Sequence, residues 1–345
     1  MSVGDIRVTS TASAPEWDRF VNAHPEATGY HLWAWREVFQ NAFGHRTEYL
    51  SASRSGRITG VLPLVQFESW LFGKFFVSLP FVNYGGVLAD DQATAEALIE
   101  SATVLARERG LAHVELRHTA RRFPSLAAKQ HKVTMLLPLP GEVQQAWEQM
   151  DRRVRNHVRK GEKSGLQATS GGAELLGDFY PVFAENMRDL GTPVYGRRFF
   201  EQILARVGTD ARVFVVTLAQ KPVAVSITIG YRGKLEVPWS SSLKQYRMLN
   251  ANTLLYWEML KWAIENRFHT FDFGRSTPND GPYQFKAQWK AQPHPLAWEY
   301  ALVNGSTMPD QSPKNPKFSL AIRLWQRLPV SVATTLGPSI VRSIP

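Results

Sequence analysis

Apolar positions along the chain recur at helical spacing in some segments and alternate or run on in others, and the order of these segments repeats. In the first half, helical patterns over 15–23 and 33–43 precede two β-prone runs, 48–53 and 57–66, joined by the turn Arg54-Ser55-Gly56. A further strand and a long amphipathic stretch over 91–109 then lead to a short strand at 112–117. The second half has helices at 178–188 and 198–207, and strands at 211–218 and 222–231 about the turn Ala219-Gln220-Lys221. A strand ending near Ser240 to Ser242, a helix over 252–266 and a strand at 270–273 follow. RITGVLPL from Arg57 aligns with KPVAVSIT from Lys221. This order predicts an α/β unit with a mixed sheet. Two copies predict a tandem duplication, with domains at 1–150 and 151–305 and a helical tail at 306–345. A chain of 345 residues also exceeds what one hydrophobic core normally covers.

Between the copies the spacing predicts one helix over 142–165. Trp147, Met150, Val154 and Val158 form its apolar stripe, with Arg152, Arg155, Asn156, Arg159, Lys160 and Lys163 on the other side. In the tail, Phe318, Ile322, Trp325 and Leu328 make an apolar face beside Arg323, Gln326 and Arg327. That face suits either docking on its own domain or resting in a membrane interface.

Composition narrows the partners. The chain is 44% hydrophobic and 20% charged, as folded proteins are, with net charge +10. The surplus is local: six basic residues face Glu162 alone between Arg152 and Lys163, and five basic residues and no acid follow Asp310. Such clusters are either solvated faces or contacts for an anion, such as coenzyme or nucleotide phosphates, a transfer RNA or an acidic lipid surface. Cysteine is absent, which removes disulfides, thiolate metal sites and cysteine nucleophiles. The N-terminal residues carry acids without an apolar core, and no apolar run reaches the roughly 20 residues of a membrane span. A cytoplasmic protein is expected, with the inner face of the cytoplasmic membrane as a peripheral site. The nine histidines show no metal-ligand spacing, and neither a GxSxG elbow nor a P-loop occurs, so no metal site and no permanently bound cofactor is expected.

Two segments carry candidate chemistry. FDFGRSTPNDGPYQFKAQW, from Phe271, reads as a strand ended by Gly274, a loop through 278–282, and Lys286 among Tyr283, Phe285 and Trp289. RMLNAN, from Arg247, precedes a helix whose first amides would attract phosphate, with Asn250 or Asn252 as cap. It resembles the Arg-x-x-Gly-x-Gly/Ala loop with which GNAT acyltransferases hold coenzyme A. Asn250 stands at the first glycine, where asparagine tolerates positive φ.

With these segments laid out, the chain resembles the FemAB-like branch of the GNAT superfamily, and within it the FemAB-related proteins of PEP-CTERM and exopolysaccharide systems. The motifs LPFVNYGGVLAD, RNHVRKGEKSGL, MRDLGTPVYGRRFF, NANTLLYWEML, FDFGRS and NPKFSLAIRLWQRLP carry the resemblance over nearly the whole chain. It implies tandem duplicated GNAT-like domains facing across a cleft, and an N-acyltransferase with acyl-CoA or aminoacyl-tRNA as donor. The acceptor implied is an amine on a small or lipid-linked saccharide precursor of the envelope or exopolysaccharide. Phe285 and Lys286 match the family's Phe-Lys pair, which stabilises the charged tetrahedral state. Arg155, Asn156, Arg159 and Lys160 match its basic segment, while Tyr195, Tyr256, Glu258, Asp272 and Arg275 match by motif. Asp272 and Glu258 stand as alternatives to substrate or water for deprotonation. The other reading is a non-catalytic tandem module that binds an anionic glycan or RNA.

Overall fold

A computed structural model describes residues 5–69, 72–303, 305–309 and 316–344; the side chains of Thr209, Pro316, Lys317 and Phe318 lie outside it. Two compact units form. The first runs to Gln130 and takes in a strand after Pro295 and the residues from Val341; the second runs from His131 to His294 with the C-terminal helices to Ile340.

The first unit contains β1 (Arg7–Thr9), α1 (Ala14–Ala23), α2 (Ala34–Phe43), β2 (Arg46–Arg54), β3 (Arg57–Ser69), β4 (Gly73–Val77), β5 (Leu88–Ala89), α3 (Gln92–Glu108), β6 (His113–His118) and β7 (Ala127–Lys129). The second contains β8 (Val133–Pro138), α4 (Val143–Gln149), α5 (Arg152–Lys163), β9 (Leu166–Gly171), α6 (Leu176–Asp189), α7 (Arg197–Arg206), β10 (Ala211–Leu218), β11 (Lys221–Tyr231), β12 (Lys234–Ser242), α8 (Ala251–Glu265), β13 (Thr270–Ser276), α9 (Gly281–Ala287) and β14 (Gln292–Pro295). The chain then places β15 (Ala297–Leu302) in the first sheet and ends in α10 (Pro316–Trp325) and α11 (Val330–Val341).

The main sheet paths are β1-β2-β3-β4-β6-β15-β7, with β5 beside β3, and β14-β8-β13-β12-β11-β10-β9. In each, two antiparallel pairings (β2-β3-β4 and β10-β11-β12) are followed by a helical crossover, α3 or α8, to a parallel neighbour, β6 or β13. The repeated order is thus a repeated topology. Leu62, Leu64, Leu98 and Ala102 pack the first core against α3, and Val223, Leu235, Leu255 and Met259 the second against α8.

Three expectations need correction. The domain edge falls at 130/131 rather than 150/151, because β8 pairs with β13, and β15 leaves the second domain to lie between β6 and β7. The helix expected over 142–165 breaks at Met150 and Asp151, both extended in ψ, and a new helix starts after Asp151 without a side-chain cap. Gly274 does not end its strand: it sits in β13 at φ +75°, and Gly281 and Pro282 already belong to α9. Of the two alternatives for the tail face, docking on its own domain is the one seen: Ile322 sits on Gly191, Gln326 Nε2 donates to the Asp189 carbonyl (3.0 Å), and Arg188 Nη1 donates to that of Leu328 (2.7 Å). The Phe318 side chain of that face is outside the described residues.

Candidate active site

The parallel ladder between β12 and β13 extends only from Lys234–Thr270 to Glu236–Asp272. Beyond it β12 stays with β11, while β13 shifts register against β8 between Asp272 and Arg275. A cavity of about 1010 Å³, lined wholly by the second unit, opens among Ser240, Ser241 and Ser242, the start of α8, and Phe285 and Lys286.

Asp272 fixes the bulge. It is fully buried; its Oδ1 accepts from Thr134 Oγ1 (2.5 Å) and the Gly274 N–H (2.9 Å), and its Oδ2 pairs with Lys234 Nζ (2.8 Å). Although burial opposes it, Asp272 together with Glu236 holds the Lys234 ammonium above its ordinary range. Both carboxylate oxygens are occupied and Asp272 does not line the cavity.

The ladder to β8 passes over Phe273 and Gly274, leaving β13 carbonyls free to turn outward. Lys286 Nζ donates to the carbonyls of Gly274 (2.9 Å) and Arg275 (3.0 Å). The helix that aims it starts at Asp280, whose carboxylate accepts from the Tyr283 N–H (2.8 Å), with Pro282 in the first turn where no amide partner is needed. An ammonium has three N–H groups. Two are taken, the third has no partner among the described residues, and Lys286 is 8% exposed on the cavity wall. Burial pulls its pKa down to about 8, against the opposing pull of Asp272 and Asp280, so the group stays cationic at neutral pH.

Aromatic rings frame the lysine. Tyr256 stacks on Phe273 (5.4 Å between centroids, 11°) and meets Phe285 edge-on (5.0 Å, 66°). Burial pushes the Tyr256 hydroxyl up to about 12, which makes it a donor rather than a base. The opposite wall is basic. Asn250 adopts φ +61°, ψ 31° and starts α8 without a side-chain cap, so the cap expected of Asn250 or Asn252 is not made. The first helical backbone bond runs from the Leu254 N–H to the Asn250 carbonyl (3.0 Å). The amides of Ala251, Asn252 and Thr253 have no partner among the described residues and belong to cavity-lining residues. Arg247, Lys244, Lys160 and His157 line the same cavity. Burial, with Arg153 and Lys160, lowers the His157 pKa.

Of the expected site residues, Lys286, Phe285, Tyr256, Asn156, Lys160, Arg247, Asn250 and Asn252 line this cavity. The others do not. Arg159 lies over the Trp147 ring (5.3 Å), Arg155 is half-buried outside the cavity, and Glu258 pairs with Lys261 (2.7 Å) on α8. Tyr195 stacks on Phe183, and Arg275 contributes its carbonyl while its side chain is exposed. Sequence reasoning missed His157, Asn186, Lys244 and the serine triplet at 240–242. Only the helical adjacency of His157 to Asn156 and Lys160 pointed to any of them.

Residues 148–287 match the acetyltransferase (GNAT) domain family, and this span holds every cavity-lining residue but Gln288. The crystal structure of FemX superposes with a TM-score of 0.65 at 16% identity, covering 92% of this chain and 100% of that one. The fold is a tandem GNAT fold. A tandem GNAT protein from the clavulanic acid biosynthesis pathway has a TM-score of 0.54 at 11% identity, covering 88% of this chain and 100% of its own. The C-terminal domain of a putative lysylphosphatidylglycerol synthetase from Agrobacterium fabrum gives 0.56 at 10% identity, over 83% and 91%. No curated protein sequence matches the chain. Among the described residues, no cluster of three potential metal ligands occurs in either GNAT unit.

Proposed function

We propose that the protein is an N-acyltransferase that moves an acyl or aminoacyl group from acyl-CoA or aminoacyl-tRNA to an amino group. The acceptor is a cell-envelope or exopolysaccharide precursor of the PEP-CTERM-associated kind, used on the cytoplasmic side. The observation that carries this reading is the buried Lys286 ammonium, held by two backbone carbonyls with its third N–H unpartnered on a cavity wall. The acceptor amine attacks the donor carbonyl carbon, and the carbonyl π electrons move onto oxygen. Lys286 stabilises that oxyanion; the tetrahedral state then collapses, forming the amide and expelling the thiolate of coenzyme A or the ribose alkoxide. The proton lost by the amine passes to a base, a role open to the His157 imidazole on the cavity wall. Fixed donors of this kind are worth on the order of 10²–10³ in rate. The open start of α8 with Arg247, Lys244 and Lys160 suits the donor's phosphates. The shared fold of FemX and of the lysylphosphatidylglycerol synthetase domain fits acyl or aminoacyl transfer.

The test is a transfer assay by intact mass with panels of acyl-CoAs and charged transfer RNAs against amino-sugar acceptors. One donor class should give an acceptor shifted by the acyl mass, and Lys286→Met should abolish that shift while donor binding persists. Donor binding without transfer under any combination would leave a binding module instead.

A further inference from the structure

The last helix is buried by its smaller residues and exposed by its larger apolar ones, and the helix before it leaves two leucines exposed. On α11, Ala333, Gly337 and Val341 are buried, while Val332, Leu336 and Ile340, one position behind at the same i, i+4, i+8 spacing, face solvent. Gly337 lies so close to the backbone of Val194 that an added Cβ would come within 2.6 Å of its carbonyl oxygen, so the docked side has no room for a larger residue. On α10, Ile322 is packed on Gly191, while Leu320 and Leu324 are 66% and 56% exposed. A surface helix ordinarily turns its large apolar residues inward, and clustered exceptions mark a contact surface.

Charge identifies the partner. Arg323 and Arg327 stand three positions after Leu320 and Leu324, which places each beside the leucine it follows, and both are exposed. No acid occurs after Asp310. The surface also continues toward the cavity: Leu190 and Met248, exposed at 62% and 74%, line its mouth, and the segment from Asp189 to Gly191 is what holds α10. Among the described residues no helix is long and apolar enough to cross a membrane, so these helices could meet lipid only from the side.

We propose that α10 and α11 dock the protein on an anionic phospholipid surface, with Leu320, Leu324, Val332, Leu336 and Ile340 entering the interface and Arg323 and Arg327 meeting the headgroups. Apolar insertion and basic attraction act together in such contacts, and neither alone gives stable binding. The docking does not rest on the transfer reaction, since vesicle binding is read without turnover.

The test is co-sedimentation of the full chain with phosphatidylglycerol/phosphatidylcholine vesicles and with phosphatidylcholine alone. The protein should pellet with the anionic vesicles, and less so as salt is raised. The variant Leu320→Ser/Leu324→Ser/Leu336→Ser/Ile340→Ser should lower the partition at least tenfold with an unchanged melting temperature. Arg323→Glu/Arg327→Glu, which leaves the apolar residues in place, should remove the preference for anionic lipid. Failure to pellet with anionic vesicles at low salt, equal binding to both lipids, or full binding by both variants would overturn the proposal. So would a dimer, seen by sedimentation equilibrium without vesicle binding, that the serine variant dissolves.

Discussion

In the first unit, α3 begins at Asp91, whose carboxylate accepts from the Thr94 N–H (2.7 Å) and pairs with Arg54 (2.9 Å); in the second, the matching α8 begins at Asn250 with its first amides open. The parallel strands beside these helices end on the same register, Val77 with Glu115 and Glu236 with Asp272, and Glu115 and Asp272 are both fully buried. Glu115 binds Arg117 (2.8 Å), whose guanidinium lies 4.3 Å from the centroid of the Trp298 ring and donates to the Leu79 and Val82 carbonyls. The cavity that Arg117 lines is about 300 Å³, against about 1010 Å³ beside Lys286. The same topology thus offers a gap in both units. One unit has an acidic cap and an arginine against a tryptophan there; the other has an uncapped helix and a lysine with a spare donor.

The sharpest way to break this contrast is Lys286→Met. It should lower turnover by about 10²–10³ and leave the protein folded by circular dichroism, because methionine removes a charge that burial disfavours. Turnover within about tenfold of wild type would mean that the spare donor is idle. A pH series is the next test. Turnover should fall as pH rises through about 8 and Lys286 deprotonates. Stability moves the other way, since the folded pKa lies below the ordinary 10.5 and the unfolded chain binds more protons between the two. Urea unfolding should therefore show the wild type gaining on Lys286→Met from about pH 8 to 10.5, and a flat difference would contradict the assignment. Asn250→Asp copies the first unit's cap into the second. It should weaken donor binding about tenfold, one charge-assisted contact, without loss of melting temperature; calorimetric titration with the donor decides. The smallest effect belongs to Asp91→Ala, which should cost about 1 kcal/mol of stability and leave kcat/KM unchanged.

Much of this was legible in the chain. The repeat rests on local periodicity, and the aligned hairpins became equivalent strand pairs. Asn250 could be read as left-handed because few residues tolerate that backbone, and Lys286 stood out as a cation among rings after a strand. What could not be read depends on partners far away in sequence. Asp272 stood as one of several alternatives for deprotonation, and no local pattern shows that Thr134, 138 residues earlier, and Lys234 take its oxygens. The placing of β15 follows from an edge that β6 offers, which no local pattern records. In the tail, spacing picked out the docked face with Ile322 and Trp325, but not that Leu320 and Leu324, equally apolar, would stay exposed.

The return of β15 bears on how the protein is made. Glu299 on that strand binds His118 of β6 across 181 residues (2.7 Å), so during synthesis the first sheet waits with β6 unzipped on one side until β15 has been made. A nascent chain halted after β14 would expose that edge to chaperones or to its neighbours, and no single cut can liberate either lobe intact.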